Sequence, residues 1–141
     1  LIQEAAEVLG NGKLIERSKE MGVKIAEKNM AGLDKDGGLY YEYFPSTDEW
    51  DTDKHWWPQA EAIVGYLNAW QVSGEERYLD NALNSWRFIQ KYLIDKEKGE
   101  WHWSVDKDGS PSKGEKAGFW KCPYHNGRAC LEVVERLETR D

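Results

Sequence analysis

A period of about 63 residues constrains this chain more than any other feature. Pro58 and Pro123 stand 65 residues apart, and the aromatic stretches Leu39-Tyr40-Tyr41 and Trp101-His102-Trp103 stand 62 apart. The turns Gly10-Asn11-Gly12 and Ser73-Gly74 keep nearly the same spacing. Each unit reads as helix, turn, helix, then a hairpin-like strand. Units of this size stack into a solenoid or close into a ring, because one unit alone cannot cover its apolar face. Two units and a spare helix complete neither form. The start, Leu1-Ile2-Gln3-Glu4-Ala5-Ala6, begins in mid-pattern with no cap and no initiator Met. The expectation is an all-α chain of α/α helical-hairpin repeats with short β-hairpin-like loops. Residues 1–141 would form a single partial domain, the C-terminal portion of a larger α/α protein.

The local signals set the expected elements. Leu1 to Leu9 reads as a helix stopped by Gly10-Asn11-Gly12. Lys13 to about Met30 reads as a second helix, with Leu14, Met21 and Ile25 on its apolar face. Asp34 to Gly38 is a turn, and Leu39 to Phe44 a short aromatic strand ended by Pro45. Residues 45–55 read as a polar loop. Pro58 takes the first helical position, where its missing N–H is harmless. Ala60, Ile63, Leu67 and Trp70 then form a stripe. Glu75 to Ile94 is the next helix, with Leu79, Ala82, Trp86, Ile89 and Leu93 on one face. Gly99 to Val105 is a short strand, and Pro123 opens a last helix that buries Cys130, Val133 or Val134, and Leu137.

Composition narrows the function. The chain is 40% hydrophobic and 32% charged, the balance of a folded domain. Its net charge of −7 comes with no basic run, so nucleic acid is excluded as a partner. No apolar run is long enough to cross a bilayer, and the first residues carry no signal-peptide pattern. Cys122 and Cys130 would be separated by about 12 Å of rise on one helix, too far for a disulfide. Reduced thiols and a cytoplasmic setting are expected. The three histidines lack metal-ligand spacing, and no Gly-rich phosphate loop is present, so neither metal nor cofactor is expected. There are eight Trp and seven Tyr but three Phe. Trp and Tyr are preferred where one edge must stay polar, and their faces stack on the C–H faces of sugar rings.

Two stretches concentrate the chemistry: Lys54-His55-Trp56-Trp57-Pro58-Gln59-Ala60-Glu61 and Trp120-Lys121-Cys122-Pro123-Tyr124-His125-Asn126. The repeat puts both helix starts on one rim. His125 lies in a first helical turn, where the positive dipole end suits an imidazole that accepts a proton. Glu61 follows Trp57 by four residues and shares its helix face. Trp56, Trp57 and Trp120 are candidate stacking platforms, whereas Trp70 and Trp86 fall on core stripes. Gln59, Tyr124 and Asn126 are polar groups of the kind that read hydroxyls.

Together these motifs resemble the N-acylglucosamine 2-epimerase family, and most of all its cellobiose 2-epimerase branch. The resemblance covers essentially the whole chain. It implies an (α/α)6 barrel of about 380 residues at this repeat length, of which this chain supplies about the last five helices. It also implies inversion at C2 of a reducing-end sugar. A histidine removes the C2 proton, an enediolate forms, and a second histidine returns the proton on the opposite face. Carried over, His125 is one of the pair and Glu61 positions a catalytic histidine. Trp57, Trp120 and Glu61 line the sugar subsite. The family's other histidine sits in a Gly-His-Asp-Ile-Glu-like segment just ahead of a helix resembling Leu1 to Ala6. The isolated chain is therefore expected to lack activity, and to associate through apolar surface left uncovered. Two other classes compete: an (α/α)6 glycosidase fragment, which needs two carboxylates, and a non-catalytic helical repeat module that binds protein.

Overall fold

A computed structural model describes residues 1–138. Among the described residues there are five α-helices: α1 (Ile2–Val8), α2 (Gly12–Asn29), α3 (Trp56–Ser73), α4 (Glu76–Phe88) and α5 (Tyr124–Glu138). Four short strands interrupt them: β1 (Glu42–Phe44), β2 (Glu49–Asp51), β3 (Lys54–His55) and β4 (Ser104–Val105). The punctuation follows local chemistry. Asn11 caps α2 by accepting from the Leu14 N–H. Gly74 closes α3 at φ 73°, a left-handed position open to glycine, and its N–H donates to the Trp70 carbonyl. Pro123 immediately precedes α5. No helix among the described residues is long and apolar enough to cross a membrane.

The central element is α3, which packs against α2, α4 and α5. The expected stripe is too narrow a description of it. Ten of its residues are buried, including Trp56, Gln59, Val64, Tyr66 and Ala69 beside Ala60, Ile63 and Leu67. One core cluster joins α3 to the end of α4 and to α5 through Ile63, Phe88, Ile89, Leu93, Trp101 and Ala129. The other joins α2, α3 and α4 through Ala26, Tyr66, Ala69, Tyr78 and Ala82. At the far end of the bundle Arg136 of α5 reaches Glu4 of α1 and Asn68 and Gln71 of α3.

Several local expectations are corrected. Leu14, Met21 and Ile25 are exposed, and α2 buries Ala26 instead. Residues 45–55 are no plain loop: they hold β2 and β3, and β2 pairs antiparallel with the preceding β1, with Tyr43 opposite Trp50. Pro58 is the third residue of α3, still within the first turn whose N–H groups have no helical acceptor. The second aromatic strand shrinks to β4, and β4 pairs with β3 from the preceding unit, Lys54 opposite Val105 and His55 opposite Ser104. Helix α4 ends early and passes into one π-helical turn, Ile89–Leu93. On α5 the buried residues are Asn126 and Ala129; Cys130, Val134 and Leu137 are exposed and Val133 is partly buried.

The repeat appears as a shared fastening. Leu33 bridges Leu39 in the first unit and Ile94 bridges Trp101 in the second. Each bridge closes over an acidic turn, with the Asp34 N–H donating to Gly38 and the Asp95 N–H to Glu100. Each unit then buries a lysine just before its next helix. Lys54 is fully buried and its Nζ lies 2.7 Å from both Asp34 and Asp36. Gly38 is required beside it, because a Cβ there would meet Lys54 Cδ at 2.6 Å and Phe88 at 2.8 Å. Lys121 is buried likewise, 2.8 Å from Glu100 and from the Lys116 carbonyl oxygen. Each buried ammonium thus has a carboxylate partner, without which its desolvation would be costly.

Candidate active site

The two motifs meet at the starts of α3 and α5, as the period requires. A cavity of about 470 Å³ opens there, lined by Tyr41, His55, Trp56, Trp57, Trp103, Trp120 and His125. A second of about 510 Å³ adjoins it, sharing Tyr41 and Trp57 and lined also by Glu61, Tyr43 and Trp50. Aromatic rings build the walls. Tyr41 stacks on His55 at 4.0 Å between centroids, and Trp56 packs on Trp103 at 4.6 Å. Trp57 lies 5.9 Å from His125, and Tyr124 meets that imidazole edge-on at 4.9 Å. Trp120 is 79% exposed at the mouth, beside Phe119.

At the centre, His125 Nδ1 lies 2.9 Å from Glu61 Oε1. The other Glu61 oxygen accepts from Arg128, one turn beyond His125 on α5. Arg128 is held in turn by Glu132, and Glu132 by Arg136, so a line of charges runs down α5 away from the cavity. Burial by itself would raise the Glu61 carboxyl; hydrogen bonds from Arg128 and His125 outweigh it and hold the group below the usual carboxylate range. An ionised Glu61 only accepts, so it fixes the proton of a neutral imidazole on Nδ1 and leaves Nε2 as the basic nitrogen. Burial lowers the neighbouring His55, with Asp51 and Asp53 opposing.

The candidate residues divide. His125, Trp57 and Trp120 line the aromatic cavity, Glu61 lines the adjoining one, and Tyr124 packs edge-on against His125. Gln59 does not face it: the side chain is fully buried and its amide pairs with the Leu39 backbone, donating to the carbonyl at 2.8 Å and accepting from the N–H at 2.7 Å. Asn126 is likewise turned inward, its Nδ2 donating to Glu100 at 2.8 Å. Trp56 lines the cavity from a position that is 4% exposed, a floor within the core rather than a free platform. Three residues that line the cavity are not among the candidates: Tyr41, His55 and Trp103. Trp103 enters through the β3–β4 pairing and the bond from the Trp56 N–H to its carbonyl, a contact between units that periodicity does not reveal. Arg128 stands in the sequence as the continuation of the second motif, Asn126-x-Arg128, but its bond to Glu61 is visible only in the structure.

With this geometry in place, the known proteins that the chain resembles are informative. The model of the N-acylglucosamine 2-epimerase family matches residues 1–129. A cellobiose 2-epimerase of Bacteroides fragilis is 46% identical over 135 residues, 95% of this chain and 34% of that protein. The crystal structure of a sugar epimerase from a ruminal bacterium superposes with a TM-score of 0.89 at 42% identity, covering 96% of this chain and 35% of that one. The structure of the Bacillus thermoamylovorans cellobiose 2-epimerase gives 0.80 at 41% identity, over 94% and 34%. These relatives are (α/α)6 barrels, and this chain spans about a third of their length. Motifs, repeat, helical layering and these likenesses agree, and the chain belongs to the N-acylglucosamine 2-epimerase family.

Proposed function

We propose that this chain contributes one acid/base histidine and part of the sugar cleft of a carbohydrate 2-epimerase acting on a cellobiose-like disaccharide. The observation that carries this is the Glu61–His125 hydrogen bond beside the Trp57 ring. In the open-chain sugar the C1 carbonyl acidifies the C2 proton. His125 Nε2 takes that proton, the C–H electron pair moves into an enediolate, and Glu61 stabilises the imidazolium so formed. Trp57 and Trp120 supply aromatic faces for the sugar ring. Inversion needs a proton returned from the opposite face. We assign that step to a histidine in the barrel segment that the relatives carry ahead of the region matched here, and we expect the isolated chain to be inactive. A cytoplasmic setting suits the two free thiols.

The glycosidase alternative is disfavoured by the same geometry. It needs a carboxylic acid held above its usual range beside a second carboxylate. Glu61 is shifted the other way, and among the described residues no carboxylate lines the aromatic cavity itself. The test is proton exchange at C2 of cellobiose in D2O, using the complete barrel. Deuterium should enter C2, and His125→Ala should reduce the rate by about a thousandfold or more. Exchange undiminished in that variant refutes the role of His125.

A further inference from the structure

We infer that Glu100 is a positioning residue for His125, acting through Asn126. Given the role of His125 proposed above, this assigns a part in catalysis to a carboxylate outside the cleft. Glu100 Oε1 accepts two bonds, from Lys121 Nζ and from Asn126 Nδ2, each at 2.8 Å. Asn126 directly follows His125 in the first turn of α5. That turn is therefore held on both sides, by Glu100 toward the core and by Glu61 toward the cleft.

Three further observations support the assignment. Lys121 lies 5.5 Å over the ring of Trp56, so the cluster that grips α5 also backs the cavity floor. Glu100 holds a left-handed backbone at φ 61° without being glycine, a strained conformation that persists only where surrounding contacts dictate it. The first unit repeats the device. There, too, an amide in the first turn of the helix, Gln59, bonds back to the preceding hairpin at Leu39, and a buried lysine, Lys54, closes the turn. The Gln59 fastening sets α3, which carries Glu61. The Asn126 fastening sets α5, which carries His125. The 2.9 Å bond between Glu61 and His125 thus spans two helices, each pinned independently to its own hairpin.

The readout is the His125 Nδ1–H resonance in the 141-residue chain, with its exchange rate against water measured by ¹⁵N-resolved NMR. It requires no sugar and no turnover, so failed epimerisation in the complete barrel would refute the proposed function without touching this result. Glu100→Gln keeps an acceptor for both donors and should leave exchange within about twofold of wild type. Glu100→Ala should speed it about tenfold and move the resonance. Because Glu100→Ala also strips a partner from buried Lys121, Asn126→Ala decides the matter: it leaves the Lys121–Glu100 pair in place and should reproduce the tenfold change. A cooperatively melting Asn126→Ala chain with an unchanged His125 signal overturns the inference.

Discussion

Replacing Gln59 separates a structural role from sugar contact, and its size follows from the geometry. The Gln59 side chain is fully buried, and the Leu39 residue it serves is 6% exposed. Truncation to Ala removes both bonds at once, leaving the Leu39 N–H and carbonyl without their partner. Each buried unpaired peptide group costs about 1–3 kcal/mol. Side-chain entropy of up to about 2 kcal/mol is no longer lost on folding. At mid-range values the net loss is about 3 kcal/mol, which for a chain of this size lowers Tm by about 10 °C. Gln59→Leu preserves volume, removes the same bonds, and should fall in the same direction. Urea unfolding measures the first quantity. Titration with cellobiose, followed by Trp fluorescence at a temperature where all variants are folded, measures the second and should show no change beyond about twofold. Losses under about 0.5 kcal/mol in both variants, or weakened sugar binding at unchanged stability, refute the assignment of Gln59 to the hairpin.

Two other outcomes test the site and the surface. Glu61 is held below its ordinary value of 4.5, so its stabilisation is fully present above that pH and is lost as pH falls through the lower folded value. The stability gap between wild type and Glu61→Gln, measured by urea unfolding across pH 3 to 7, should therefore narrow toward the acid end; a gap that widens there contradicts the Arg128 and His125 bonding. Leu14, Met21 and Ile25 are 45%, 48% and 62% exposed along α2. The chain should associate with rising concentration in sedimentation, and changing all three to Glu should reduce that association while altering stability by about 0.5 kcal/mol or less per site.

The two fastenings also explain why polar residues at a helix start were hard to assign from sequence. Gln59 and Asn126 follow aromatic residues in the two motifs, where an amide that reads hydroxyls and an amide that ties a hairpin look the same. Which one it is depends on where the hairpin lies. The hairpins rest on pairings between segments: Leu33 with Leu39, Ile94 with Trp101, and β3 with β4. The same cause misplaced the apolar face of α2, since 3.6-residue periodicity marks a face without stating what covers it.

By itself, the sequence determined the units. Glycine turns, prolines at helix starts and helical periodicity act between near neighbours, and the 63-residue period then placed both helix starts on one rim. That much made His125, Glu61 and Trp57 visible as partners. Only the tertiary structure decided how they meet. The Glu61–His125 and Glu61–Arg128 bonds join residues 64 and 67 positions apart, and Gln59 reaches back 20 residues to Leu39. Such contacts depend on how helices dock, which core packing sets to within an ångström and local propensity does not.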